Sequence, residues 1–148
     1  MTLLDEDAPD AEDFVVCWLQ PILRAATERD PGDALPFAVV QRVAGSDDQN
    51  CGEDEAVVQI DVFAATTNAS LAEGLAPNVA KYWAKRVTRR MNRLSRNLDD
   101  DVTMSDGSVA NADYVANVMK PVRMPYQDES IVRVVGRWSI GLSYVAVP

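Results

Sequence analysis

The chain has 148 residues, of which 47% are hydrophobic and 25% charged, and its 23 acids against 14 bases give a formal net charge of −9. This composition excludes general disorder, and the length fits a single domain. The chain contains no histidine, which excludes Ser-His and Cys-His catalysis and His-ligated metal sites.

The N-terminal residues 1–9 predict a mobile acidic arm, followed by one α+β domain over residues 10–148. The arm lacks the basic and apolar regions of a signal peptide, so we expect an intracellular protein with free thiols at its two cysteines. Apolar residues at three- and four-residue spacing predict a first helix over 10–29, with a kink at Pro21 or a division there into two short helices.

Two strands and a loop follow the first helix. Residues 37–43 are strand-like, and residues 56–64 alternate between apolar and polar types with period two. The polar, acidic stretch 45–54 between them predicts a long loop, so these segments indicate a hairpin.

The second helix is predicted over residues 70–98. Ser70 and Glu73 form a capping box at its start, and Pro77 either kinks its first turn or begins the main helix. The helix should end near Leu98, before a run of three aspartates.

The last third of the chain predicts two more strands. Residues 99–113 form a second polar loop, and residues 114–124 form a strand whose Pro121 suits a sheet edge or a bulge. Residues 131–147 are the longest strand signal. The predicted fold is therefore α+β, a four-stranded antiparallel sheet with two helices packed on one face, in the order α-β-β-α-β-β.

Half of the basic residues lie in one segment, 81–96, which contains no acid. On a helical projection they cluster on one side, opposite an apolar face formed by Ala76, Ala80, Trp83, Val87, Met91, Leu94 and Leu98. Three interpretations are open: a solvated face, a contact surface for an acidic protein, or a nucleic-acid site. The basic residues concerned are Lys81, Lys85, Arg86, Arg89, Arg90, Arg93 and Arg96.

The sequence offers no motif for catalysis, a cofactor or a metal. Its glycines form no phosphate loop, and its acids occur in runs that are typical of solvated loops. Since loops of this length are often functional, we expect both acidic loops to contact neighbouring subunits or other partners. The acids of these two loops that we place in the interface are Asp47, Asp48, Glu53, Asp54, Asp100 and Asp101.

Several stretches resemble the tail terminator proteins of long, non-contractile-tailed bacteriophages. They are the helical segment 16–21, the strand segments 35–45 and 58–64, the helix bearing Arg89-Arg90-Met91, and the long final strand. The resemblance covers residues 12–147 and concerns the order of the elements and the residue types of these stretches.

The resemblance implies a structural virion protein without enzymatic activity. It would form a hexameric ring on the last ring of the tail tube, end tube growth and dock the head-side connector or stopper protein. It would be assembled in the host cytoplasm into the neck region of the virion, away from membranes, and phage DNA would pass through the ring without specific binding.

Alternative functions are another neck component, such as a head-completion or stopper protein, a small nucleic-acid-binding module, and an enzyme. Strongly salt-dependent retention on DNA would favour the nucleic-acid alternative.

Overall fold

The structure is a computed structural model that describes residues 6–65 and 76–146 of the chain. The helices are α1 (Ala11–Leu19) and α2 (Ala76–Arg96). The strands are β1 (Glu6–Asp7), β2 (Arg24–Ala26), β3 (Phe37–Asp48), β4 (Glu53–Ala65), β5 (Val102–Thr103), β6 (Val109–Ala110), β7 (Tyr114–Met124), β8 (Ile131–Ser143) and β9 (Val145–Ala146).

The main sheet has five strands in the order β2-β3-β4-β8-β7, and β2 runs parallel to β3 while the other pairs are antiparallel. Strands β1 and β9 form one small antiparallel sheet, and β5 and β6 form another. The predicted four-stranded antiparallel sheet in the order α-β-β-α-β-β is therefore wrong. The described part of the chain contains a five-stranded mixed sheet and is mostly strand.

The fifth strand comes from the segment predicted as the second half of the first helix. Asp10 caps α1 by accepting hydrogen bonds from the backbone N–H groups of Glu12 and Asp13. The helix ends at Leu19 because Pro21 has no N–H with which to continue it. The chain then turns and pairs as β2 with the start of β3. Pro21 was predicted to kink the helix or to divide it into two short helices, but the helix ends before it and a strand follows.

Strands β3 and β4 form a much longer hairpin than the sequence predicts. Their pairing continues to Asp48 and Glu53, so the predicted loop 45–54 is wrong. The carboxylate of Asp48 caps the tight turn by accepting from the N–H groups of Asn50 and Cys51, at 3.1 and 3.2 Å. Strand β4 also pairs with β8 as far as Glu53 and Ser143, which supports the extended hairpin.

The second half of the chain follows the prediction more closely. The capping box of Ser70 and Glu73 lies outside the described residues, and α2 ends at Arg96, close to the predicted end. The predicted loop 99–113 contains the β5–β6 hairpin, whose turn has Gly107 at φ +87°.

Strand β7 coincides with its prediction and lies at a sheet edge. Its pairing with β8 is interrupted twice, between Asn117 and Met119 and between Met119 and Val122, which includes Pro121. The predicted strand 131–147 is divided, because β8 ends at Ser143 and the chain then turns to pair as β9 with β1.

Both helices contribute to one core on one face of the main sheet. Alternate residues of β4 and β8 point into this core, and its largest fully buried side chains include Trp138, Phe14, Leu19, Ile60 and Met91. On the other face, Asp61 accepts hydrogen bonds from Gln59 and Arg133, at 2.8 and 2.9 Å. The charges of Asp61 and Arg133 therefore compensate each other within the chain.

Candidate functional site

Helix α2 positions the seven basic residues that the sequence places on one face, but the structure divides them into two groups. Five are exposed, namely Lys81, Lys85, Arg89, Arg93 and Arg96, whereas Arg86 and Arg90 are half-buried. The two half-buried arginines make specific contacts within the chain.

Arg90 is clamped to Trp18 of α1. Its Nε donates to the Trp18 carbonyl oxygen at 2.8 Å, and the Trp18 indole N–H donates to the Arg90 carbonyl oxygen at 2.9 Å. The guanidinium carbon lies 3.6 Å from the centre of the Trp18 ring. Burial, and then the charge of Arg93, lower the pKa of Arg90. Arg90 therefore joins the two helices through contacts within the chain.

Two more of the predicted basic residues have partners within the chain. The Arg86 guanidinium carbon lies 4.8 Å from the centre of the Trp83 ring and 5.8 Å from that of Tyr82. Arg93 forms an ion pair with Asp100, at 3.5 Å between Nε and Oδ2. Lys81, Lys85, Arg89 and Arg96 have no such partner among the residues that the structure describes.

Three of these exposed cations line a groove between α2 and the edge of the main sheet. The groove has a volume of about 990 Å³, and its cationic lining consists of Lys81, Lys85, Arg89, Lys120 and Arg123. Among the described residues that line it there is no acid. The apolar part of the lining includes Ala84, Pro121, Val132 and Val134. We call this site the cationic groove.

Lys120 and Arg123 are the groove residues that sequence reasoning missed. They belong to β7, where the two interruptions of pairing occur. The available signal was two cations around a proline in an otherwise apolar edge strand, and edge strands carry lysine and proline more often than central ones. Only the packing of α2 beside β7 brings them together with Lys85 and Arg89.

The predicted acidic residues of the first loop gather at the opposite end of the main sheet. Asp47 and Asp48 are exposed and close to Glu53 across the hairpin. Asp54, in contrast, is buried and held by Arg42, whose two terminal nitrogens each lie 2.8 Å from one of its carboxylate oxygens. These hydrogen bonds raise the pKa of Arg42. Asp54 and Arg42 therefore form an ion pair within the chain.

Two further contacts shape this acidic end. The Tyr144 hydroxyl donates to Asp47, and this hydrogen bond, followed by burial, raises the pKa of Tyr144 to about 12. Burial is the main cause that raises the pKa of Glu53, followed by its hydrogen bond to Asp113 and the negative charge of Asp113. We call the exposed acids Asp47, Asp48 and Glu55, together with Glu53, the acidic end.

The predicted acids of the second loop do not join either site. Asp100 is half-buried and paired with Arg93, and exposed Asp101 accepts from the Asn111 side chain at 3.4 Å. Both lie after the C-terminal end of α2, beyond the groove.

The cationic groove and the acidic end are far apart in one molecule. Arg123 pairs with Val134 of β8, whereas Asp54 pairs with Leu142 of the same strand. Eight residues of strand at about 3.3 Å each separate them by roughly 26 Å. Since exposed charges are screened over about 8–10 Å at 0.1–0.15 M salt, the two sites do not neutralise each other within one copy.

The described residues include no group of three or more acids, cysteines or histidines placed to hold a metal ion. Within residues 6–65 and 76–146, no helix has the length and apolar character needed to cross a membrane. No protein-family model matches the chain, and a search of curated proteins finds no significant match.

Proposed function

We propose that this protein is a structural subunit of a bacteriophage tail, the terminator that forms a ring at the head-proximal end of the tail tube. The proposal rests on the resemblance of the sequence to that family. The observation that supports it is the separation of the cationic groove, whose described lining contains no acid, from the acidic end of the same chain.

This charge separation suits assembly because each copy presents both members of a complementary pair in different directions. Contacts between unlike surfaces of identical subunits are heterologous, and they close into a ring when the rotation between neighbours permits it. Complementary charges of this kind give register and a fast encounter rather than large affinity. The ring, in this proposal a hexamer, would stack on the tail tube protein and present its other surface to the head-tail connector or stopper protein.

The net charge of −9 is consistent with a ring through which DNA passes. A negatively charged lumen repels phosphate and allows passage without specific binding. The cationic groove nevertheless favours one second candidate, a nucleic-acid-binding module, because lysine and arginine are the residues that neutralise phosphates.

Deletion of the protein from a phage that encodes it tests the proposal. We expect tail tubes of uncontrolled length that fail to join heads, as seen by electron microscopy, with restoration by the wild-type protein supplied in trans. Tails of normal length would refute the terminator function and favour a head-side neck component. Retention of the purified protein on duplex DNA at physiological salt would favour the nucleic-acid candidate.

A further inference from the structure

We propose that the cationic groove of one copy receives the outer end of strand β3, residues 43–48, from a second copy. Copies would thus associate head to tail through a single repeated contact. This inference rests on the proposed ring-forming function and specifies the contact that would build the ring.

The groove has the chemistry to bind an extended segment that is apolar at one end and acidic at the other. Its apolar lining includes Ala84, Val132 and Val134, which are 5%, 3% and 5% exposed and so form a floor. Lys85 and Arg89 are exposed, as are Lys120 and Arg123 on β7. Because no acid lines the groove among the described residues, an acidic ligand supplies charge that the chain itself does not.

The end of β3 matches this chemistry. Residues 43–48 read Val-Ala-Gly-Ser-Asp-Asp, so an apolar half is followed by an acidic half. Val43 is the extra residue of a bulge between Arg42 and Ala44, has no partner in β4, and is 41% exposed. Asp47 and Asp48 follow on the same exposed strand.

The outer edge of this segment is also free to make a contact. Strand β2 pairs only with residues 37–39 of β3, so beyond Val39 no strand covers that edge among the described residues. The Arg42 N–H is satisfied by the Glu12 carboxylate, at 2.9 Å, but all residues from 41 to 50 are exposed. Unpaired strand edges are ready sites for association with another chain.

A second copy is the occupant that the geometry favours. The separation of roughly 26 Å between groove and acidic end prevents a copy from filling its own groove. An identical neighbour brings an acidic end to a cationic groove and leaves its own groove open for the next copy. This repetition is what a heterologous ring requires.

The test uses two complementary variants of the full chain. The groove variant carries Lys85→Glu and Arg89→Glu, both at exposed positions without partners among the described residues. The acidic-end variant carries Asp47→Asn, Asp48→Asn and Glu55→Lys. Asparagine keeps the oxygen that accepts from Tyr144 at position 47 and caps the turn at position 48. Arg96→Glu is the matched control, because it reverses an exposed charge on the same helix outside the groove.

We expect the wild type and Arg96→Glu to form the same oligomers by native mass spectrometry at intermediate ionic strength. Each complementary variant should remain folded by circular dichroism and associate at least about tenfold more weakly. A mixture of the two variants should form 1:1 complexes, because the acidic end of the groove variant and the groove of the acidic-end variant are both intact. Salt raised above that ionic strength should weaken every one of these complexes.

Three results would overturn the proposed contact. They are a groove variant that assembles like the wild type, a mixture of the two variants that stays monomeric, and a wild type that stays monomeric at its highest soluble concentration. Failure of the proposed function gives a different result: the variants complement each other as expected, while a phage lacking the protein still makes tails of normal length.

Discussion

The contact between Arg90 and Trp18 predicts that neighbouring arginines of one helix have separable roles. Replacement of Arg90 by alanine removes the hydrogen bond to the Trp18 carbonyl oxygen and the guanidinium stacked on the ring. The reciprocal bond from the indole N–H survives, since it ends on a backbone carbonyl. Replacement of Arg89, which is exposed and lines the groove, removes no contact within the described part of the chain.

The size of the Arg90 effect follows from these two contacts. A hydrogen bond from a charged donor contributes about 1.5–3 kcal/mol, and a cation over an aromatic face about 0.5–2 kcal/mol. Because Arg90 is half-buried, water replaces part of both contacts, and we expect a loss of about 2 kcal/mol in the free energy of unfolding. For a chain of this size that lowers the melting temperature by roughly 4–8 °C. Arg89→Ala should change stability by less than about 0.5 kcal/mol.

Urea denaturation followed by tryptophan fluorescence measures both variants, and native mass spectrometry measures their assembly. We expect Arg90→Ala to be destabilised yet able to assemble at temperatures where it is folded, and Arg89→Ala to show the opposite pattern. Arg90→Met retains an apolar side chain over Trp18 and separates packing from hydrogen bonding. If Arg90→Ala and Arg89→Ala are equally stable, the clamp contributes nothing and the reasoning is wrong.

Three further outcomes follow from the fold. Trp138 is 1% exposed, so Trp138→Ala should cost about 3–5 kcal/mol in urea denaturation, and a cost below about 1 kcal/mol would contradict its place in the core. Gly45 has φ +113°, and an added Cβ would overlap the Glu55 carbonyl oxygen. Gly45→Ala should therefore lower the free energy of unfolding by roughly 2–3 kcal/mol. An unchanged melting temperature would argue against the bulged hairpin. Burial and Asp113 raise the pKa of Glu53 in the folded protein above the ordinary value of 4.5. The contribution of Glu53 to stability is therefore full at pH values below 4.5 and is lost as the pH rises through the raised pKa. Glu53→Gln should therefore raise the melting temperature at neutral pH, with a gain that disappears on acidification; a gain that is the same at every pH would refute this origin.

The sequence predicted the bounds of two elements closely. Strand β7 coincides with its prediction, and α2 ends two residues before its predicted end. In α2 the apolar spacing determines which face is buried. The first helix and the hairpin were predicted less well. Apolar periodicity over residues 10–29 predicted a helix that continues past Pro21. In the structure the buried Leu23 belongs to the turn after α1, and the buried Ala25 belongs to β2.

The hairpin prediction was wrong for a different physical reason. Composition indicated a loop over residues 45–54 because acids and glycines are rare in strands. Pairing there is maintained by the backbone and by β8, which lies beside β4 as far as Glu53 and Ser143. Local propensity has little weight once a central strand supplies hydrogen-bonding partners along its whole length.

The candidate site depends even more on tertiary packing than the fold does. Helical projection places Arg86, Arg90 and Lys85 on the same basic face. The local sequence does not distinguish Arg90, which contacts Trp18, from Lys85, which remains exposed. That distinction depends on where α1 crosses α2. Likewise, Lys120 and Arg123 become part of a groove only because β7 is the edge strand beside α2.

In the proposed ring, charge separation on each copy makes assembly sensitive to where charges lie as well as to how many there are. With a net charge of −9, two copies repel each other at long range, so a contact between them requires local complementarity that exceeds this repulsion. The charges of Arg42 and Asp54 compensate each other within the chain. The charges that remain uncompensated are exposed cations at the groove and exposed acids roughly 26 Å away. Salt then has two opposing effects, since it screens the overall repulsion as well as the local attraction. Attraction acts at shorter range and is screened less, so assembly should be strongest at intermediate ionic strength and should weaken on either side of it.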